Sequence, residues 1–241
     1  MQLSSTVIRT AAILQSSYIP WKGYFDILNS VDEFVLYDDV QYSKNDWRNR
    51  NRIKTKNGEI WLSIPVLTKG RFGQNICDVK IMDPRWASKH WKTLEANYAK
   101  ALFFQDLLPA INNLYMEAEN ESNLSRVNEI FIRGISKLIG INTRITSSLE
   151  YQLPEDRNER LVELCSQLGV NGYLSGPSAK AYLDEQLFQD KGIQLEWMDY
   201  SGYPEYEQLY CPPFVHEVSI LDLLFNVGPD NTLSYLKKDE V

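Results

Sequence analysis

Apolar and polar positions along this chain fall into two alternating rhythms. "TAAILQ" (10–15) is a short apolar run bounded by polar residues, which predicts a buried strand. "GYFDILNS" then reads as a short helix, and "EFVLYDD" (33–39) as a second strand ending in two carboxylates. Strand, helix, strand in so short a span is a βαβ unit, which implies a parallel sheet. "NRNRIKT" and "EIWLSIPV" alternate around Asn57-Gly58, a strong signal for a β-hairpin over 51–66.

The rhythm then changes to helical. Asp83-Pro84 is read as the capped start of a helix through "RWASKHWKTLEANYAK", with further helices at about 104–118 and 123–139. A second alternating unit follows. Asn158–Leu168 is predicted helical and closed by Gly169, "NGYLSG" a strand, "PSAKAYLDEQLFQDK" a helix closed by Gly192, and "IQLEWMDY" a strand. "SILDLLFN" is a final helix, with Ser219 and Asp222 at capping-box spacing and Gly228-Pro229 after it.

No repeat, low-complexity tract or linker interrupts this order. The expectation is one α/β domain over 1–241, with a mainly parallel Rossmann-like sheet, a β-hairpin and a helical insertion. Its parts are the βαβ and hairpin region at about 8–82, the insertion at about 84–140, and the second α/β unit at about 150–228.

Composition narrows the function. The net charge of −7 lacks the broad positive field that DNA-binding proteins use, so DNA is not an expected partner. Cys77, Cys165 and Cys211 are far apart with no CxxC, which indicates neither a metal site nor a disulfide framework. No run is long enough to span a bilayer, and "MQLSSTVIRTAAIL" lacks the basic region of a secretory signal. A cytoplasmic protein is therefore expected. Six Trp, fourteen Tyr and nine Phe are many, and much of this aromatic content sits beside polar residues, as stacking surfaces for rings do.

Chemistry-bearing residues concentrate in a few places. Asp38 and Asp39 end a predicted strand, where open α/β sheets hold ligands. They lead into Gln41 and a block of donors, Arg48, Asn49, Arg50 and Asn51, around Trp47. The bland alternative for this block is a solvated loop held by local turns and ion pairs. His90 shares a helix stripe with Trp86, Thr93, Leu94 and Asn97, and imidazole is the side chain best matched to proton transfer near neutral pH. Ser175 and Gly176 stand where a strand meets a helix, a position that suits an anion. "SSYIPWKGYFDIL" (16–28) crowds Tyr18, Trp21, Tyr24 and Phe25 around Gly23, and reads as a strand-to-helix turn whose aromatics line a ligand site.

Several of these stretches, in this order, resemble the WbqC-like family: "ILQSSYIPWKGYFDIL", "FVLYDDVQYSKNDWRNRNRIKT", "GEIWLSIPV", "KHWKTLEANYAK", "YLSGPSAKAYLD" and "SILDLLFNVG". The likeness runs from about Ala11 to Gly228, and the "DDVQ…NRNRIK" block is its most specific part. Gln15, Tyr18, Pro20, Trp21, Gly23, Tyr24, Asp38, Asp39, Gln41, Asn49, Arg50, Asn51, His90, Ser175, Gly176, Tyr182, Ser219, Asp222 and Gly228 match its pattern, whereas His216 does not. The resemblance implies a step in bacterial O-antigen or capsule assembly, because members accompany surface-polysaccharide genes, including those for N-acylated amino sugars. A weaker likeness in layout links "PWKGYF" and "DDVQY" to HxGH nucleotidylyltransferases and pantothenate synthetase. Here Trp21 and Tyr24 stand where those enzymes keep histidines.

Three functions remain open at this point. The first is transfer of an acyl or aminoacyl group onto a nucleotide-linked amino sugar. In it Trp21, Tyr24 and Trp47 stack on sugar or base, and Arg48, Arg50 and the Ser175-Gly176 turn hold the diphosphate. His90 takes the proton, with Asp38 or Asp39 orienting it or replacing it. Gln15, Tyr18, Gln41, Asn49, Asn51 and Tyr182 complete the expected binding set. No tightly bound cofactor and no metal are expected, and the donor is left open among coenzyme A, an acyl carrier protein and charged tRNA. The second function is a nucleotidyl-transferring or adenylate-forming enzyme, and the third a non-enzymatic sugar-nucleotide-binding protein.

Overall fold

The three central strands of a five-stranded parallel sheet are buried on both faces, as helix-covered strands must be. The computed structural model describes residues 8–236, so the short leader before them lies outside the described residues. The chain divides into two compact units built from interleaved segments. Among the described residues the first comprises 8–14, 27–37 and 143–200, and the second 15–26, 38–142 and 201–236.

The first unit holds the parallel sheet. Its strands are β1 (Thr10–Leu14), β2 (Glu33–Leu36), β5 (Arg144–Ser147), β6 (Gly172–Ser175) and β7 (Gln194–Trp197), in the order β5-β2-β1-β6-β7. All four residues of β2 are buried, and Ala11 and Ala12 of β1 are sealed completely. Helix α5 (Arg157–Leu168) lays Leu161, Leu164, Cys165 and Leu168 against Ile13, Val35 and Tyr173 of the sheet. Asp156 caps its start by accepting from the amides of Asn158 and Glu159, and Gly169 ends it at φ 66°, the left-handed conformation glycine adopts cheaply. The expected mainly parallel α/β sheet is present.

Helix α1 (Lys22–Asn29) carries the chain from the second unit into the first. The second unit contains the hairpin β3 (Arg50–Thr55) and β4 (Gly58–Ser63), paired antiparallel as the Asn-Gly signal predicts. It also contains helices α2 (Trp86–Tyr98), α3 (Phe104–Glu119) and α4 (Leu124–Leu138). Tyr18, Trp86, Tyr115 and Phe131 form its aromatic centre, with Tyr18 edge-on to both Trp86 and Phe131.

Four local readings are corrected. β5 escaped notice because "RITS" shows little apolar character at the sheet edge. The single helix expected after Gly176 is broken into a short 3-10 turn, Pro177–Ala181, and α6 (Glu185–Asp190), which Asp184 caps afresh. Asp83 does not cap α2; it accepts from the Arg85 amide and pairs with the Arg85 guanidinium, and the helix starts at Trp86. Asp222, read as only a helix-start carboxylate, does stand in the first turn of α7 (Ile220–Val227), but it is also fully buried and accepts from Tyr98, Tyr206 and Gln208 at 2.7, 2.6 and 2.8 Å. The short α8 (Pro229–Thr232) follows. Among the described residues no helix is long and apolar enough to cross a membrane.

Candidate functional site

In the first unit, strand order marks one position above the others. From β1 the chain builds outward to β2 and β5 on one side, and to β6 and β7 on the other. The direction of winding therefore reverses between β1 and β6, and in open parallel sheets the carboxyl ends of the strands at such a reversal form the ligand crevice. β6 ends there at Ser175, followed by Gly176. The buried Ser175 hydroxyl bonds to the Tyr173 hydroxyl at 3.4 Å, and a β-carbon at Gly176 would meet only the Tyr200 hydroxyl, at 3.7 Å. The turn that follows opens on Pro177, which has no amide hydrogen, so the cradle of helix amides expected here is reduced. Tyr182 is exposed, with the Arg157 guanidinium 3.3 Å from its ring centroid.

In the second unit, the residues directly after β1 and β2 build a buried polar network. The Ser16 amide donates to Asp38 Oδ1 at 2.8 Å, and the Ser125 hydroxyl donates to the other carboxylate oxygen. Arg48 donates to the Ser16 carbonyl at 3.1 Å, while Asn128 donates to the Ser16 hydroxyl at 3.0 Å and the Arg48 carbonyl at 2.9 Å. Burial raises the Asp38 pKa, against the lowering pull of Ser125, Ser16 and the Arg48 charge. Asp39 is half-buried beside it. Gln41 is exposed and bridges through its backbone to Asn75.

The donor block separates by alternation along β3. Asn49 and Asn51 serve the fold. Asn49 accepts from the Tyr42 hydroxyl at 2.9 Å and donates to the Ile64 carbonyl at 2.8 Å. Asn51 is buried and donates to the carbonyls of Tyr18 and Ile19. Arg50 and Arg52 take the other face, beside the indoles of Trp47 and Trp61.

His90 is buried, and its Nδ1 lies 2.9 Å from the Tyr18 hydroxyl, which is itself 2.8 Å from that of Tyr115. Burial lowers its pKa to about 4, only partly offset by a hydrogen bond to the Ser63 backbone. The imidazole is thus neutral at physiological pH and already engaged.

Of the opening aromatics, Tyr18 and Tyr24 are core, and the Tyr24 hydroxyl donates to the carbonyl of half-buried Gln15 at 3.3 Å. Trp21 remains half-exposed, edge-on to Tyr203. Its indole lies so close over Gly23 that a β-carbon there would sit 2.4 Å from the ring. The opening stretch is therefore mostly core, with Trp21 as its one part that reaches solvent.

Comparison with known proteins matches the WbqC-like protein family model over residues 15–234. The chain belongs to the WbqC-like protein family. Rv1507c of Mycobacterium tuberculosis, itself an uncharacterized protein, is 47% identical over 223 residues, which is 92% of this chain and 96% of that protein. No solved structure matches.

In this WbqC-like chain, three residues went unremarked in the sequence. Lys22 is buried, donates to the Pro204 carbonyl at 3.0 Å, and lies 5.1 to 5.8 Å from the ring centroids of Tyr203, Tyr206 and Phe214. It stands among the aromatics of "PWKGYF", and its partners come from residues 203–214, far along the chain. Asn128 sits mid-helix and carries no local signal. Trp61 reads as an ordinary strand residue until β4 is seen to expose it. Among the described residues no three His, Cys, Asp or Glu side chains are grouped to hold a metal ion.

Proposed function

We propose that this protein transfers an acyl group to the amine of a nucleotide-linked amino sugar, as one step in bacterial surface-polysaccharide assembly. The observation that carries the reading is the reversal of strand order between β1 and β6, with Ser175-Gly176 at its carboxyl edge. Such an edge suits a nucleotide: a hydroxyl and a residue without a side chain let a phosphate approach the backbone. The amide part of the proposal comes from the family's company of genes for N-acylated sugars.

In the reaction, the neutral amine attacks the donor's carbonyl carbon, the C–N bond forms, and the bond to the donor's leaving group breaks. The nitrogen must then lose a proton. A base whose pKa lies near the working pH does this best. His90 is a weak base in its buried state, held by Tyr18. Asp38 is the alternative candidate, since burial raises its pKa from the ordinary carboxylate value while its two oxygens accept from Ser16 and Ser125; Asp39 stands next to it.

The test is thermal. A panel of nucleotide-linked amino sugars should contain one that raises the melting temperature, since a ligand at a hundred times its Kd adds ~2.7 kcal/mol. The same nucleotides lacking the sugar amine should stabilise less. A panel with no stabilising member would end this reading. Stabilisation without product, on supplying acyl donors, would favour a non-enzymatic sugar-nucleotide-binding protein.

A further inference from the structure

The β3–β4 hairpin presents an aromatic and cationic ladder that its own fold does not require. Every residue of β4 except Leu62 is exposed. Trp61 is 45% exposed and Trp47 38%, with their ring centroids 5.3 Å apart at an interplanar angle of 41°. The Arg50 guanidinium carbon lies 4.2 Å from the Trp61 centroid, and that of Arg52 lies 5.5 and 5.7 Å from Trp47 and Trp61. Alternation explains the interleaving. Arg52 is the direct cross-strand partner of Trp61, and Arg50, two residues back, shares its face.

The two arginines differ in what they have left to give. Arg52 is held by Glu59 at 2.5 Å and Glu217 at 2.8 Å, so its charge is matched and its plane fixed. Among the described residues Arg50 has no carboxylate partner. It donates to the Asn45 carbonyl through one terminal nitrogen, while its Nε–H, like that of Arg52, is shielded from solvent. The surrounding segment is basic in an acidic chain: residues 44–56 carry six Lys and Arg against one Asp, while the whole chain has a net charge of −7.

We propose that this face is a stacking platform for a nucleotide, with the base on the Trp47–Trp61 pair and a phosphate on Arg50. Any base has a π-face for an indole, and stacking combined with arginine cation–π contacts is how proteins hold bases without reading their sequence. A guanidinium with donors to spare is the side chain that best matches phosphate oxygens. Under the acyl-transfer reading this nucleotide is the handle of the acyl donor, as in coenzyme A or the 3′ end of a charged RNA. Only that role rests on the acyl-transfer reading; binding to the platform does not.

The experiment is calorimetric titration with ADP, with adenosine and with a single-stranded adenine hexanucleotide, at low and at moderate salt. Wild type is compared with Trp61→Ala, Trp61→Phe and Arg50→Gln, and melting curves check that each variant is folded. ADP should bind; Trp61→Ala should weaken it by at least about tenfold, and Trp61→Phe, which keeps a ring, should restore most of the loss. Arg50→Gln should weaken ADP more than adenosine. Similar affinities for ADP and the hexanucleotide assign the platform to a small nucleotide-bearing molecule. Much tighter hexanucleotide binding, with a steep loss in salt, assigns it to an RNA end. No binding of any probe, binding untouched by Trp61→Ala, or a change of oligomeric state as the sole effect of that variant overturns the proposal. Nucleotide binding that survives while no amino sugar is acylated would leave the platform standing and remove the acyl-transfer reading.

Discussion

The Asn51 side-chain amide donates to the Ile19 carbonyl at 2.7 Å and to that of Tyr18 at 3.2 Å, while its oxygen accepts from the Arg52 amide at 2.7 Å. Ile19, a β-branched residue, is held at φ 38°, a conformation such residues rarely adopt. Asn51 therefore pins a strained turn in the middle of the family's opening motif. Replacing it with alanine leaves buried carbonyls without donors and should cost ~2–3 kcal/mol. Asn51→Asp should be no better, because a carboxylate cannot donate to those carbonyls. Chemical denaturation checks this; near-wild-type stability in both variants would show that the turn is held by other contacts.

Gly23 is the second structural dependency. A β-carbon there would meet the Trp21 indole at 2.4 Å, so Gly23→Ala should overpack the turn and destabilise by ~1–3 kcal/mol. Trp21→Ala removes the obstruction. In the double variant the penalty from Gly23→Ala should largely vanish, giving a coupling energy well outside additivity. Additive losses would mean that the indole moves aside freely.

These two relationships also show what was legible in the sequence. The parallel sheet, the hairpin and most helices follow from short apolar runs, the Asn-Gly turn and glycine stops, all local signals. The roles within "NRNR" were not legible. Composition makes every residue of that block a donor, but only strand alternation, seen once β3 is placed, sends asparagines to the backbone and arginines to the indoles. His90 was legible as inward-facing yet not as pre-engaged, because Tyr18 and Tyr115 reach it from distant segments. Lys22 and Asn128 were missed for the same reason, since their partners lie far along the chain.

His90 makes stability acid-sensitive. Its folded pKa of about 4 lies below the ordinary 6.5, so between those values the unfolded chain binds more protons than the folded one. Stability is then full above pH 6.5 and falls as pH drops toward 4, by on the order of 3 kcal/mol at most. Nuclear magnetic resonance titration of the two histidines should show the His90 ring unchanged down to about pH 5. A His90 midpoint near 6.5 would contradict the buried assignment.

Lys22 acts at the opposite end of the scale. Burial lowers its pKa from 10.5 to about 8, with the charges of Glu205 and Asp222 pulling the other way. Between 8 and 10.5 the unfolded state therefore binds more protons, and stability rises with pH across that window. Below pH 8 the cost of burying the ammonium is present in full. Comparison with Lys22→Met isolates the effect from other groups: the stability of wild type relative to the variant should climb between pH 8 and 10.5 and be flat below it. A flat difference throughout would mean that the amine is solvated.

The central claim is acylation of a nucleotide-linked amino sugar, and mass spectrometry of the reaction tests it directly. Purified protein would be mixed with the amino-sugar nucleotide that most raises its melting temperature, and with acyl-coenzyme A, acyl carrier protein or charged tRNA as donor. The account predicts a product heavier by the acyl group minus one hydrogen, carrying an amide on the sugar nitrogen. Asp38→Asn should slow its formation by ~10²-fold or more, the scale of general-base catalysis. An unmodified amino sugar with every donor, under conditions where the sugar nucleotide is demonstrably bound, would contradict it.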